Sequence, residues 1–431
     1  MRSSTVKTGL GITTALAASL AFLPGPAPAQ ALFHEGAPGL FHEGQRTAGV
    51  ATVKDIPPPA SGKTITVGPG KDFDNIQDAA DAAQPGDNVA ITPGTYDGGL
   101  TINNDGDDGK FITFYGDGGQ AVITGEGGGD DGLLQIGEHS WQRFINVTSK
   151  DSSGFAVRAN GGHDLSFSGF EVDGSQDGGL VLYGVSNILV DGCDIHGTNA
   201  EGTSADGEAM SLGEGSSNID VSHCKVHDNG EEGIDVKYDD DAKAKIHDNV
   251  VSNNRGPNIY VDSSSNVEVY NNVTTGTKEE SKAGIALAVE HWSDSRTLNN
   301  VKIYNNVSYG NAQAGISFWK ETDGTMSNVQ IVNNTFYDNG AGSISFDADV
   351  EGDNLLRNNI FGEGDVSNDG FTSDHNVAGD PGFVDPAGGD FHLKADSEAV
   401  NAGSADSAPA FDLENHPRPA GSAVDIGAYE Q

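Results

Sequence analysis

A short alternating segment that begins with asparagine recurs along this sequence and constrains its fold more than any other feature. The copies are residues 187–190, 218–221, 266–269, 300–303 and 328–331, and each has apolar residues at every second position, as in a strand with one buried face. An Asn-Asn corner follows several copies, and from Asn272 it recurs after 34, 28 and 25 residues. A repeat of this length built from short strands predicts a solenoid whose coils stack around a shared core.

The corner asparagines have a structural explanation. Asparagine tolerates the left-handed backbone region that a tight corner needs, and amides stacked on successive coils hydrogen-bond to one another. We therefore expect these asparagines to stabilise the turns.

A short helix is predicted before the repeats. Residues 73–96 begin with Asp74 as a plausible N-cap, continue through an Ala-rich stretch, and turn at Pro85-Gly86 into a strand at residues 88–92. Such a helix would cover the open end of the stack. The sequence therefore predicts an all-β solenoid with a short N-terminal capping helix.

This arrangement resembles the right-handed parallel β-helix of secreted pectate lyases and their relatives. The resemblance covers roughly residues 64–362, and FDNIQDAADAAQPGD followed by PGTY is its most distinctive segment. Residues 380–385, 391–403 and 425–429 resemble the C-terminal segment that often closes such bacterial helices. The resemblance implies one domain at residues 63–431, with a closing segment at about 376–431.

The N-terminal residues predict export. Residues 1–31 read as a signal peptide, with a basic start, an apolar run from Leu10 to Leu23 and the cleavage pattern Ala29-Gln30-Ala31. Residues 32–62, with a repeated LFHEG and a proline-rich end, are interpreted as a flexible linker. The apolar run is shorter than the ~20 residues of a membrane span. We expect a secreted protein, extracellular or periplasmic, without a membrane span.

Acidic residues greatly outnumber basic ones. The chain has 64 Asp and Glu against 23 Lys and Arg, a formal charge of −41, which argues against a nucleic acid partner because phosphate binding needs a basic surface. The excess suits either solubility in salty surroundings or the collection of divalent cations, and both explanations stay open. We expect a monomer that acts on an extracellular polysaccharide.

The cysteines Cys193 and Cys224 occupy the same place in successive coils. Stacked positions lie about 4.8 Å apart, so either a disulfide or a pair of buried thiols fits the geometry.

The densest group of ionisable residues falls on coils in the middle of the solenoid. Aligning Met210 with Ile234 stacks Glu208 under Glu232, and the alternation of Ile234 and Val236 turns their polar neighbours outward. The group consists of Asp206, Glu208, Glu231, Glu232, Asp235 and Lys237. Carboxylates this close need a bound cation or a shared proton, and oxygen-rich clusters suit calcium.

A sharper resemblance follows from these residues. Ala205-Asp206-Gly207 and Glu231-Glu232-Gly233-Ile234-Asp235 on the next coil are similar to the calcium-site pattern of family 9 polysaccharide lyases. The resemblance implies that Asp206, Glu231, Glu232 and Asp235 hold Ca²⁺, with Glu standing where that family usually has Asp. The longer Glu side chain would shift the ion or bind it through both oxygens.

The catalytic base of that family has no counterpart here. The family uses a lysine in a Gly-Phe-Lys setting, whereas Tyr260 or Ala286 stands at that place in this chain. Lys237 is the substitute candidate, because a cation neighbour and desolvation lower the pKa of a lysine, although nearby carboxylates raise it. Arg255 could hold a second substrate carboxylate or be a surface residue, and Glu208 is a further catalytic candidate.

These residues predict a lyase that cleaves a uronate-containing, pectate-like polysaccharide by calcium-assisted β-elimination. Substrate contacts are expected at Tyr260, Asp262, Glu290, His291 and Trp292. One alternative is a glycoside hydrolase that pairs Glu232 with Asp235 or Asp262 and needs no metal. A second alternative is a non-catalytic glycan-binding surface protein.

Overall fold

The computed structural model describes residues 57–60, 62–125, 131–202 and 207–431. The predicted signal peptide, nearly all of the linker and Asp206 lie outside the described residues. No helix in the described part of the chain is long and apolar enough to cross a membrane.

Within the described residues the chain winds through three parallel sheets, of 13, 12 and 10 strands, and each coil adds strands to them in turn. Sheet A has 13 strands, in the spatial order β1 (Thr64–Val67), β2 (Asn88–Ile91), β5 (Ile112–Gly116), β8 (Gln142–Ile145), β11 (His163–Ser168), β14 (Ser186–Asp191), β17 (Ser217–Ser222), β20 (Ala244–His247), β23 (Ser265–Tyr270), β26 (Thr297–Tyr304), β29 (Thr325–Val332), β32 (Asn354–Arg357) and β34 (Phe371–Asp374). Sheet B has 12 strands, β3 (Gly94–Asp97), β6 (Ala121–Thr124), β9 (Val147–Ser152), β12 (Glu171–Ser175), β15 (Asp194–Thr198), β18 (Lys225–His227), β21 (Val250–Ser252), β24 (Val273–Thr275), β27 (Val307–Tyr309), β30 (Thr335–Tyr337), β33 (Ile360–Phe361) and β35 (Val377–Ala378). Sheet C has 10 strands, β4 (Leu100–Thr101), β7 (Leu134–Gly137), β10 (Val157–Asn160), β13 (Leu180–Tyr183), β16 (Met210–Gly213), β19 (Ile234–Lys237), β22 (Ile259–Asp262), β25 (Ile285–Val289), β28 (Ala314–Lys320) and β31 (Gly342–Phe346). This is the all-β parallel β-helix that the repeat predicted.

Apolar side chains at alternate strand positions fill the centre of the coil stack. Phe114, Phe144 and Phe167 form a ladder inside sheet A, with ring centroids 5.3 and 5.4 Å apart. Full burial of such a side chain contributes roughly 1.5–3 kcal/mol relative to exposure. The core thus continues from coil to coil.

A ladder of asparagines runs along the corner between sheets A and B. The backbone N–H of Asn272 donates to Oδ1 of Asn306 at 2.9 Å, and the N–H of Asn306 donates to Oδ1 of Asn334 at 2.9 Å. The residue before each of them has a left-handed backbone, for example φ 54° at Asn305. The structural role predicted for these asparagines is confirmed.

The helix α1 (Ile76–Ala82) precedes the stack, as predicted, but its N-cap is Asn75 and not Asp74. The Asn75 side chain accepts a hydrogen bond from the Asp78 N–H at 2.8 Å, which satisfies one of the free donors at a helix start. Ile76, Ala79 and Ala80 are buried in the main core, so the helix covers its first coils.

The C-terminal tail lies against the outer face of sheet B. Its antiparallel pair β36 (Phe383–Asp385) and β37 (Asp390–Leu393), joined by a 3₁₀ turn at Pro386–Gly388, carries Phe383 and Phe391 into a second core with Val307. Cys193 and Cys224, in matching positions of successive coils, are buried free thiols.

Candidate functional site

Asp235 and Lys237 of the predicted cluster lie on β19 of sheet C, and Glu208, Glu231 and Glu232 lie in the segments just before β16 and β19. Met210 pairs with Ile234 as the sequence indicated, and this register puts Asp235 between Ser211 and Tyr260. Lys237 in turn lies between Gly213 and Asp262. Ile234 and Val236 point into the core, so the alternation of the strand turns Asp235 and Lys237 outward.

Lys237 faces outward and is nevertheless buried, with 5% of its surface exposed. Its Nζ lies 2.5 Å from Oε1 of Glu208 and 3.6 Å from Oδ2 of Asp235, and the Tyr183 and Tyr238 rings lie 5.6 and 5.8 Å from it. Gly213 makes room for the lysine, since a Cβ there would come within 2.9 Å of the Lys237 Cγ.

The charge state of Lys237 follows from these neighbours. Burial lowers the pKa of the ammonium, but the carboxylates of Asp235 and Glu208 outweigh burial and raise the pKa above its usual value. The side chain therefore stays protonated and serves as the buried counter-ion of the two carboxylates. This geometry disfavours the predicted role of Lys237 as a base, because a base must first be neutral.

A second part of the cluster is centred on Glu290. The hydroxyls of Tyr238 and Tyr260 donate to its two oxygens at 2.9 and 2.8 Å. Asp262 accepts a hydrogen bond from Ser263 Oγ at 2.8 Å, and burial together with the neighbouring Glu290 carboxylate raises the pKa of Asp262 well above its usual value. The Glu290 carboxylate and burial therefore favour the protonated form of Asp262.

Glu232 borders an open cleft beside these groups. The cleft has a volume of about 350 Å³ and is also lined by Tyr260, Lys282, Glu290 and Trp319. Burial and the Glu208 carboxylate raise the pKa of Glu232 to about 7, with Lys282 acting in the opposite direction. Glu232 can therefore both release and accept a proton near neutral pH.

The apolar surface beside the cleft comes from aromatic rings and small residues. Tyr260 and Trp319 lie nearly parallel, with centroids 6.3 Å apart and an interplanar angle of 14°, and they pack with Ala286 and Ala288. Trp292 is 70% exposed, and His291 contacts Oε2 of Glu321 at 2.5 Å beyond the end of β25. The predicted substrate contacts thus divide between the cleft and this outer position.

The residues predicted to hold calcium do not all converge. Glu231 contacts the Arg255 guanidinium, which also donates to Glu279 at 2.7 Å, while Asp235 belongs to the Lys237 ion pairs. This disfavours Arg255 as a substrate ligand, because its own chain already occupies it. Within the described ranges, no group of three or more His, Cys, Asp or Glu side chains is arranged to hold a metal ion.

Two buried oxygens of the cluster nevertheless have the chemistry of cation ligands. Oε2 of Glu208 and Oδ1 of Asp235 have no hydrogen-bond partner within the described part of the chain. Carboxylate oxygens are the ligands that calcium takes, so these donors fit the ion in kind. They differ from the predicted set in including Glu208 and leaving out Glu231.

Sequence reasoning missed several contributors. Lys282 lies in the loop after β24, and nothing in its spacing pointed to the cleft. Tyr183 sits one coil before Gly213 in the same column, so an alignment continued backwards by one coil could have found it.

The architecture described above is also found in known proteins. A family model described as right handed beta helix region matches residues 131–300. A crystal structure of the pectate lyase Pel9A covers 89% of this chain and 98% of its own, with 19% identity and a TM-score of 0.61. A structure of a rhamnogalacturonan lyase has 14% identity, covers 80% of this chain and 97% of its own, and has a TM-score of 0.45. An alginate lyase from Paenibacillus sp. str. FPU-7 has 15% identity, covers 66% of this chain and 99% of its own, and has a TM-score of 0.42.

No curated protein matches the sequence significantly. The family model and the pectate lyase structure show that this chain folds as a right-handed parallel β-helix.

Proposed function

We propose that this chain is an exported polysaccharide-degrading enzyme that cleaves a uronate-containing chain by β-elimination on sheet C. The carboxylate cluster, which we define as Glu208, Glu232, Asp235, Asp262 and Glu290, carries the proposal because it gathers three buried and two half-buried ionisable groups beside an open cleft. Burying such groups costs stability, and raised pKa values such as those of Glu232, Asp235 and Asp262 beside a cleft are typical of active sites. The similarity to a pectate lyase structure supports the same reaction class.

The residues of the cleft divide the proton transfers between them. Glu232, with a pKa of about 7, is ionised above neutral pH and takes the proton next to the uronate carboxyl group. The electron pair of that C–H bond forms the new double bond, and the glycosidic C–O bond breaks. Burial and the nearby Asp262 and Glu290 carboxylates raise the pKa of Tyr260, so its hydroxyl keeps its proton until the leaving oxygen takes it.

The substrate carboxylate needs a positive partner in this acidic surrounding. Lys282 lines the cleft and supplies one charge from the chain itself. Calcium is the second partner in our proposal, held by the unpartnered oxygens of Glu208 and Asp235, whereas Glu232, which the family resemblance also assigned to the ion, is kept for proton transfer. When bound, the ion would neutralise the substrate carboxylate and offset the repulsion from a chain of charge −41.

A glycoside hydrolase remains a second candidate because of one observation. A carboxyl group with a pKa of about 7, as at Glu232, suits the general acid of a glycosidase. Asp235 or Asp262 would be the second carboxylate, and a neutral glycan would not be repelled by the cluster.

One assay separates these candidates. Purified protein is incubated with polygalacturonate, alginate, glucuronan, xylan and arabinan, with calcium or with EDTA, and ultraviolet absorbance is followed together with reducing ends. A lyase produces an unsaturated, absorbing product, whereas a hydrolase produces reducing ends alone and a binding protein produces neither. Reducing ends without absorbance would overturn the lyase proposal.

A variant pair ties the activity to the cleft. Glu232→Gln should lower the rate at least a hundredfold, since general acid–base groups contribute about 10²–10⁴-fold. Glu280→Gln is the matched control, because Glu280 is exposed on the loop that leads to β25. Equal activity of the two variants would exclude Glu232 from the chemistry.

A further inference from the structure

A second cleft, of about 500 Å³, lies on sheet A. Its floor is the outer face of β23, β26 and β29, and its wall is the tail at residues 407–415. The wall is fixed in place, because Asn305 Nδ2 donates to the Phe411 carbonyl at 2.8 Å and Arg418 donates to Asn305 Oδ1 at 3.3 Å.

Aromatic rings line one side of this cleft. His247, Tyr270 and Tyr304 stack on successive coils at centroid distances of 4.7 and 4.8 Å. In the next coil Val332 takes the ring position, so the stack ends at Tyr304. Phe411 on the tail wall is 53% exposed, and an exposed phenyl group beside a concave surface is typical of a binding site.

Polar groups line the other side in a parallel row. The column of sheet A next to the ring stack reads Lys245, Glu268, Lys302 and Gln330. Lys302 Nζ lies 3.2 Å from Oε1 of Glu268, and the Tyr304 hydroxyl donates to its Oε2 at 3.4 Å. A sugar ring has an apolar C–H face and polar edges, so it matches a cleft with rings on one side and donors and acceptors on the other.

The row continues beyond the cleft. A shallower groove of about 380 Å³ shares Glu268 and Lys302 with it and adds Lys243 and Lys245. Asp241 also lines this groove and pairs with Lys243 at 2.7 Å, as Glu268 pairs with Lys302, so Lys245 is the lysine of the row whose charge is left for a ligand carboxylate. The length of the two depressions together suits several linked sugar residues.

We infer that this face of sheet A is a second glycan-binding site, which holds a uronate-containing polysaccharide between Tyr304 and Phe411 with its carboxylates toward the lysine row. The site is separate from the cleft of sheet C and performs no chemistry. It would keep the enzyme on a polymeric substrate between cleavage events, by the gain in local concentration that a second binding point gives. The choice of uronate polymers rests on the proposed function, whereas the site itself does not.

Affinity electrophoresis in native gels that contain polygalacturonate, alginate or xylan tests the inference. All proteins carry Glu232→Gln, so that the gel polymer is not degraded. We expect polygalacturonate or alginate to slow migration, and Phe411→Ala to raise the apparent Kd at least fivefold. Leu189→Ala is the matched control, because Leu189 is an exposed apolar residue of sheet A in the same column as Lys302, several coils away.

The outcomes are distinct. The inference would be overturned if none of the polymers retarded the protein, or if Phe411→Ala left the retardation unchanged. Self-association of the protein at this face in sedimentation experiments would also overturn it. Lys302→Gln should weaken retardation by the uronate polymers more than by xylan. If the wild type cleaves no polymer but retardation depends on Phe411, the proposed function fails and the binding site stands.

Discussion

Replacing Lys237 by methionine should destabilise the folded protein strongly. The lysine side chain is 6% exposed, and its ammonium lies 2.5 Å from Glu208 and 3.6 Å from Asp235, so the variant leaves buried carboxylates without their cation. Removing one partner of a buried ion pair costs about 3–5 kcal/mol. One kcal/mol shifts the thermal midpoint of a domain of 150–250 residues by about 2–4 °C, and a longer chain shifts less. We therefore expect the midpoint to fall by roughly 5–15 °C at pH 7.

Thermal unfolding followed by circular dichroism measures this effect, with Lys245→Met as the control on an exposed lysine. The defect should shrink as the pH falls, because burial raises the pKa of Asp235 and a protonated carboxyl group needs no counter-ion. Adding Glu208→Gln and Asp235→Asn to Lys237→Met should restore most of the lost stability. A defect no larger than that of Lys245→Met, or one that does not depend on pH, would refute this account of Lys237.

The remaining predictions concern proton transfer, stability and metal. The rate of polymer cleavage should rise with pH through about 7 as Glu232 ionises, and a pH profile without this limb would contradict its role as base. Folding raises the pKa of Glu232, so the folded state binds more protons than the unfolded state between about pH 4.5 and 7. The contribution of Glu232 to the free energy of unfolding therefore falls as the pH rises through this range. Urea unfolding of Glu232→Gln should lack this part of the pH dependence. Asn306→Ala should cost about 1–3 kcal/mol for each buried partner left unsatisfied, against almost no cost in the same assay for Asn160→Ala at an exposed strand position. EDTA should abolish cleavage and calcium should restore it, and full activity in EDTA would remove calcium from the proposal.

The fold was predictable because its cause is local and repeated. Strand alternation and the corner asparagines recur every few dozen residues along the sequence, so each coil carries the same local sequence pattern. The path of the tail was not predictable in this way. It depends on single long-range contacts, such as the hydrogen bond between Asn305 and the Phe411 carbonyl across 106 residues of sequence, which no periodicity encodes.

The strand register around the predicted cluster could be derived from the sequence, but the packing of its side chains could not. The Met210–Ile234 register followed from the alternation and put Glu208, Asp235 and Lys237 on one surface. The burial of Lys237 did not follow, because it depends on Tyr183 from two coils earlier in sheet C and on the space left by Gly213. The pairing of Arg255 with Glu231 likewise depends on where the two side chains lie. Sequence spacing alone could not show that they pair with each other, and do not bind calcium or substrate.

The energetics of the carboxylate cluster argue that it serves a reaction and not the fold. Neighbouring strands of sheet C place Ala286 and Ala288 at the same outward columns that hold Asp235 and Lys237 two coils earlier, so the coil geometry accepts small apolar residues there. Uncharged residues at these positions would avoid the desolvation of buried ions and would cost the solenoid nothing in backbone pairing. A group that the fold does not need, that lowers its stability and that borders a cleft with a carboxyl pKa of about 7 is therefore the group to which we assign the proposed chemistry.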